Sequence, residues 1–178
     1  MRQLPGAVFL DRDNTITVDK GYCHKVAEFQ WIAGADEALR LLHDADIAVF
    51  IVTNQGGIGR GIFSLDDMQN FHNHLLVMTQ KAGGKITDIA YCPHHPEALD
   101  PAMRHCDCRK PSPNMLRNLA EKWQIDLTKS VMIGDRLSDS QAGDAAGCIS
   151  YLYDGTLRFD SLVEEIIKTH FSDRQSQP

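Results

Sequence analysis

Two aspartates separated by one arginine, Asp11 and Asp13, stand in the run Phe-Leu-Asp-Arg-Asp-Asn-Thr, where an apolar stretch over residues 7–10 gives out. An aspartate is ionised at neutral pH, so Asp11 could attack phosphorus without a base to activate it. The departing ester oxygen needs a proton, and the water that later cleaves an aspartyl phosphate must lose one; a second carboxyl such as Asp13 suits both steps. Two carboxylates facing a phosphate dianion repel it, which calls for a bridging divalent cation, and Mg²⁺ is the expected ion for an all-oxygen site. Taken alone, the tetrapeptide Asp-Arg-Asp-Asn also reads as a solvated turn, so the remaining chain must decide.

Thr53 and Asp135 close later apolar runs, and further candidates lie in the loops. Thr53 offers a hydroxyl that, with the backbone N–H groups after it, could hold a phosphoryl oxygen. Glycines 56, 57, 59 and 61 match no nucleotide-binding lysine motif and instead permit a tight turn and close backbone approach to a ligand. Lys110 supplies a point charge for a transferring phosphoryl group, and the neighbouring Arg109 can grip a second anion with two parallel hydrogen bonds. Asp135 and Asp139 lie four residues apart across an expected strand-to-helix turn. Asp135 suits a Mg²⁺ site completed by Asp11 and the Asp13 backbone carbonyl, while Asp139 reads equally as a residue interacting with a helix start.

Cys92-Pro93-His94 and Cys106-Asp107-Cys108 present three thiols and an imidazole in two close pairs. Four such ligands fill a tetrahedral Zn²⁺ with no open position, which marks a structural site rather than a catalytic one. His95 or His105 could take the place of His94. Cys23 and Cys148 read as plain buried thiols, and His43, His72, His74 and His170 as ordinary surface or packing residues.

The elements that must position these groups alternate along the chain. Strands are expected at residues 7–10, 47–52, 86–91, 131–133 and 149–153, from their short apolar runs. Helices are expected over 36–45, 64–82, 114–123, 138–146 and 159–171, the second with a capping box at Ser64 and Asp67. Such alternation implies an α/β fold, one doubly wound, mostly parallel sheet with helices on both faces, whose strand ends gather reactive groups along one edge. Residues 1–171 form one expected domain, with a zinc loop at about 92–108, and residues 172–178 an expected disordered tail.

With 178 residues and a net charge of -6, the chain does not have the composition of a nucleic-acid binder. No apolar segment reaches the roughly 20 residues needed to cross a bilayer, and the N-terminus lacks a signal peptide's apolar core. A cytoplasmic location is expected, and the five cysteines are then thiols or metal ligands.

Together, the Asp11 to Thr15 motif, Thr53-Asn54, Lys110 and Gly134-Asp135 resemble the four ordered motifs of the haloacid dehalogenase superfamily of phosphatases. Within it, the segments around Thr53, the Cys/His pairs and Asp135 look like a small, minimally capped branch, acting on heptose bisphosphates or histidinol phosphate, that carries a zinc loop in place of a cap domain. Gly21-Tyr22-Cys23-His24 is similar to a loop of the heptose enzymes, which favours a sugar bisphosphate, with removal of the 7-phosphate of D-glycero-D-manno-heptose 1,7-bisphosphate through an aspartyl phosphate, over histidinol phosphate. The resemblance implies Asp11 as nucleophile, Asp13 as general acid/base, and Thr53 and Lys110 as phosphoryl stabilisers. It implies Arg109 at the second phosphate and Asp19, Lys20, Gly21, Tyr22, Thr53, Asn54, Gln55, Gly56 and Arg136 along the sugar. Mg²⁺ falls to Asp11, Asp13 and Asp135. A monomer is expected, without nucleic-acid or membrane partners. The chain departs from the pattern at Cys23 and at Asn14, where glycine is usual and where Asn can still accept positive φ. A non-catalytic phospho-sugar binding module is the reading from another class; it would need no nucleophile paired with an acid.

Overall fold

The computed structural model describes residues 5–172. Five parallel strands, β1 (Ala7–Leu10), β2 (Ala48–Asn54), β3 (Asp88–Cys92), β4 (Val131–Gly134) and β5 (Ile149–Leu152), form one sheet in the order β3-β2-β1-β4-β5. The helices α1 (Ala35–Asp44), α2 (Leu65–Lys81), α3 (Asn114–Trp123), α4 (Leu137–Ala146) and α5 (Phe159–His170) complete the doubly wound arrangement. The winding reverses between β1 and β4, and a crevice opens at such a point beyond the carboxyl ends of the strands. Of the expected tail, only Ser172 falls among the described residues.

Period-two alternation in the central strands divides the core. Val8, Leu10, Val49, Ile51, Val131 and Ile133 face α1 and α5, packing with Leu39, Leu42, Phe159 and Ile166. Phe9, Phe50, Val52 and Met132 point to the other face and meet Met115, Leu116, Leu119 and Ala142 of α3 and α4. Strands buried on both faces must read as continuous apolar runs, as β1, β2 and β4 do.

Element boundaries differ from expectation where side-chain chemistry intervenes. β2 continues beyond its apolar run through Thr53 and Asn54, because these residues still pair with Tyr91 and Cys92 of β3. Helix α1 begins at Ala35 with no side-chain cap; Gly34 precedes it at φ 85°, and a Cβ there would lie 2.1 Å from Asp160 Oδ1. Glycine therefore lets α5 close onto the start of α1. In α2 the expected capping box is present: Ser64 Oγ accepts from the Asp67 N–H at 3.0 Å and Asp67 Oδ2 accepts from the Ser64 N–H at 2.9 Å. Replacing Ser64 by alanine should lower stability by about 1 kcal/mol, read as a fall in the urea midpoint without a change in slope.

Candidate active site

Asp11 emerges from the end of β1, its N–H bonded to Ile133 O of β4 at 2.9 Å, which fixes it at the reversal of the winding. Asp135 follows the end of β4, and Asp139 sits in the first turn of α4. One carboxylate oxygen from each of Asp11, Asp135 and Asp139 lies within 4.8 Å of the others. Gly134 makes this convergence possible, since a Cβ on it would meet Asp139 Cβ at 2.3 Å.

The ammonium of Lys110 lies under this cluster, 3% exposed. Its Nζ donates to Asp11 Oδ1 at 2.9 Å, to Val52 O at 2.6 Å and to Asp139 Oδ1 at 2.7 Å, which uses all three of its donors. Burial alone would depress the lysine, but the facing carboxylates of Asp11 and Asp139 hold it above its ordinary value. Asp139 has a double role: its Oδ2 accepts from the Arg136 N–H at 2.9 Å, so it both caps α4 and pairs with the lysine.

Asp135 is the group left over. Burial, followed by the charges of Asp11 and Asp139, pushes its carboxyl up to about 6, and its Oδ1 is buried without a hydrogen-bond partner among the described residues. An orphaned carboxylate oxygen among the converging carboxylates of Asp11, Asp135 and Asp139 fits a hard divalent cation.

The side chain of Asp13 is not one of the three converging carboxylates. Its Oδ1 accepts from Arg12 Nε at 2.8 Å, and its Oδ2 from Arg12 Nη2 at 3.1 Å and Gln55 Nε2 at 2.8 Å. Burial and then the Asp11 charge raise its carboxyl above the usual range, against the opposing pull of Arg12. The turn carrying it closes through Asn14, whose N–H donates to Thr17 O at 2.7 Å with φ at 56°, the left-handed conformation that asparagine accepts. Asn14 Oδ1 in turn accepts from the Asp19 N–H at 2.9 Å.

Cys92 Sγ lies 3.0 Å from Cys108 Sγ, 3.5 Å from Cys106 Sγ and 3.6 Å from His94 Nδ1, and all four ligand atoms fall within 4.8 Å of one another. A tetrahedron with bonds of ~2.3 Å to sulfur has ligand edges of ~3.8 Å, so the cluster has the size and donor set of a zinc centre. The imidazole is that of His94; His95 instead accepts from the Glu97 N–H through Nδ1. The loop reaches the site through Arg109, whose Nη1 donates to His94 O at 3.1 Å.

Of the remaining sequence candidates, Thr53 is fully buried and its hydroxyl accepts from Gln55 Nε2 at 2.8 Å. Asn54 brackets Lys110, its Nδ2 donating to Lys110 O at 3.1 Å and its Oδ1 accepting from the Lys110 N–H at 3.0 Å, so both amide atoms are spent on the lysine's backbone. Gln55 is 3% exposed and faces Asp13 and Thr53. Asp19 Oδ1 accepts from the N–H groups of Gly21 and Cys23, shaping an exposed loop with Lys20 and Gly21 at its tip and Tyr22 at φ 59°. Gly56 lies beside His95 and Arg109, while Arg136 is 70% exposed at the start of α4.

Three residues escaped the sequence reading. Arg60 sits over the Tyr22 ring at 5.5 Å and donates to its hydroxyl. Arg12, which looked like part of a solvated turn, is 1% exposed and lies 4.7 Å over the Phe71 ring. His72, expected to be ordinary, is 7% exposed with its Nε2 3.1 Å from Arg12 Nη1. A guanidinium can only donate, so Nε2 must accept and the ring must be neutral. Burial first, and then Arg12, lower this histidine to about 3. An arginine enclosed between two acids after a buried strand was the available signal; its partners on α2 left none.

A HAD-hydrolase-like family profile matches residues 107–168. The chain is 39% identical over 162 residues to the D-glycero-beta-D-manno-heptose-1,7-bisphosphate 7-phosphatase of Rhodopseudomonas palustris, covering 90% of this chain and 89% of that one. It is 44% identical over 141 residues to the protein of the same name from Photorhabdus laumondii, covering 79% and 75%. Its fold matches the crystal structure of D,D-heptose 1,7-bisphosphate phosphatase from B. bronchiseptica, complexed with magnesium and phosphate, with a TM-score of 0.80 and 28% identity over 93% of this chain and 99% of that one.

Two outcomes follow from the charges. A histidine held at about 3 in the fold against 6.5 unfolded contributes stability that is complete above pH 6.5 and is lost as pH falls towards 3. Between pH 6.5 and 4.5 the wild-type protein should therefore lose up to about 1.4 kcal/mol per pH unit more than His72→Gln in urea denaturation. Asp135→Asn, which removes a charge from the candidate cation site, should weaken divalent-cation binding by 10-fold or more, about 1.4 kcal/mol, by isothermal titration calorimetry.

Proposed function

The chain belongs to the haloacid dehalogenase-like hydrolases, in the family of the heptose 1,7-bisphosphate 7-phosphatases, and on that premise we propose that it removes the 7-phosphate of D-glycero-D-manno-heptose 1,7-bisphosphate with Mg²⁺. The observation that carries the reading is the buried ion pair of Asp11 with Lys110 at the reversal of the sheet, beside the orphaned carboxylate of Asp135. A binding module needs no buried carboxylate at the mouth of a crevice with a second carboxyl one residue beyond its neighbour.

Asp11 attacks the phosphorus, and the bond to the sugar oxygen breaks as the bond to the aspartate forms. Asp13 gives its proton to the departing oxygen, then takes one from the water that hydrolyses the aspartyl phosphate. Burial and the Asp11 charge raise Asp13 towards the protonated form that the first half-reaction requires. Thr53 and Lys110 stabilise the phosphoryl oxygens, the lysine as a positive charge held in place by its bonds to Asp11 and Asp139. Asp11, Asp135 and the backbone carbonyl of Asp13 would hold Mg²⁺, which would supply positive charge against the transferring group.

Arg109, tied to the loop at His94 O, receives the second phosphate. The amine of histidinol phosphate would meet like charge there, which favours a bisphosphate. Residues 19–22, the turn after β2 and Arg136 surround the sugar. Cys92, His94, Cys106 and Cys108 would hold Zn²⁺ in a structural role, since four protein ligands leave it no open position. We place the enzyme in the cytoplasm as a monomer whose phosphatase domain is residues 1–171, consistent with five unpaired thiols.

Phosphate release should favour one anomer of heptose 1,7-bisphosphate over histidinol phosphate and fructose 1,6-bisphosphate by about 100-fold or more in kcat/KM, or ~2.7 kcal/mol. Preference for histidinol phosphate would reverse the substrate assignment. Asp11→Asn should abolish turnover; retained activity would remove the covalent mechanism.

A further inference from the structure

Arg12 is among the largest wholly buried side chains of the described residues, and each nitrogen of its guanidinium has a hydrogen-bond partner. Nε and Nη2 grip Asp13; Nη2 is also shared with Cys23 O at 3.0 Å and Gln55 Oε1 at 3.1 Å, and Nη1 donates to His72 Nε2 at 3.1 Å. The plane rests on Phe71, which neighbours His72 on α2. Gln55 closes the circuit by donating from Nε2 to Asp13 Oδ2 and Thr53 Oγ1, both at 2.8 Å. Helix α2 therefore reaches the proposed acid through one guanidinium.

We propose that His72 is a positioning residue for the proton transfer: by accepting from Arg12 Nη1 it holds the guanidinium in the orientation that aims Asp13 at the departing oxygen. The inference rests on the phosphatase reading above, in which the P–O bond to the sugar breaks as the P–O bond to Asp11 forms. The electron pair of the broken bond stays on the sugar oxygen and takes the proton of the Asp13 carboxyl, leaving Asp13 as the carboxylate that Arg12 and Gln55 grip.

Without an acceptor at position 72, the Nη1 donor is left buried beside Phe71 without its partner, and a buried donor in that position recruits whatever acceptor it can reach. The accessible ones are Asp13 and Gln55 themselves. The guanidinium then turns, and the carboxyl turns with it. Displacement of a reacting group by a fraction of an ångström is felt strongly in a transfer step and weakly in binding.

The consequence is selective for chemistry. An alkyl or sugar oxygen leaves only with its proton, whereas 4-nitrophenolate leaves unprotonated, so a defect confined to the acid spares the aryl ester. The quantity to compare is kcat/KM, which covers steps only through formation of the aspartyl phosphate. For His72→Leu, kcat/KM on heptose 1,7-bisphosphate and on glycerol 2-phosphate should fall by about 10-fold or more, and on 4-nitrophenyl phosphate by less than about 3-fold. His72→Gln, whose amide oxygen can accept from Nη1, should restore the alkyl esters to within about 3-fold of wild type. His72→Met, apolar and adaptable, carries the same comparison if circular dichroism shows that the leucine variant does not fold. Equal losses on alkyl and aryl esters, or unchanged rates on both, would overturn the proposal. Turnover of glycerol 2-phosphate without turnover of the heptose ester would end the substrate assignment while leaving the comparison at His72 intact, and absence of any phosphatase activity would overturn both.

Discussion

A single ammonium group beneath the end of the sheet sets the terms for everything around it. Lys110 is buried where an isolated charge would be very costly, and it is tolerated because Asp11 and Asp139 meet it directly and Val52 O takes its third hydrogen. Each of these partners is itself positioned by the backbone: Asp11 by its bond to β4, Asp139 by capping α4, and Val52 by the pairing of β2 with β3. Asn54 completes the arrangement by holding the lysine's own N–H and C=O. Removing the lysine would leave two buried carboxylates facing each other without a cation, the expensive half of an ion pair.

Around that centre the charges sort into two groups with opposite needs. Lys110 serves Asp11 and Asp139, and Arg12 serves Asp13. Among the described residues Asp135 has only the exposed Arg136 as a cationic neighbour, at 3.9 Å, and burial, followed by the charges of Asp11 and Asp139, raises it to about 6. Two cations thus cover three of the four carboxylates, which leaves a local deficit of positive charge at the crevice. That deficit lies where a phosphate dianion is proposed to enter, so the cation that neutralises it must be as mobile as the substrate or held beside it. The difference between a lysine and an arginine matters here: the point charge suits several converging oxygens, while the planar fork suits one carboxylate gripped along its edge.

Much of this was visible in the residues alone. The strands, the helices, the parallel order and the gathering of Asp11, Thr53 and Asp135 at one edge follow from apolar run lengths and from where those runs stop. The sulfur cluster was visible because three cysteines and a histidine so close in sequence have few other uses, and the structure selects His94 from three neighbouring imidazoles. What stayed hidden was partnership across the fold. Nothing local distinguishes His72 from His43, since burial of a helix residue depends on which loop packs over it. The resemblance pointed to Gln55 and Asn54 along the sugar, but not to the bonds their amides make with Arg12, Asp13, Thr53 and Lys110. The start of α1 depended on Asp160, more than a hundred residues away.

The pairing of Asp11 with Lys110 spans 99 residues of sequence, and Asp139 lies further along again. A chain emerging from the ribosome therefore carries no complete site until β4 and the start of α4 have been made and packed against β1. Loop-closure entropy must be overcome before those contacts repay it, which places assembly of the charged centre late in folding. A partly folded chain with the first three strands in place would expose Asp11 without its lysine, and so would have no means to hold a phosphoryl group prematurely. The same long span makes the centre a faithful reporter of the whole fold, since loosening either half of the sheet separates the pair.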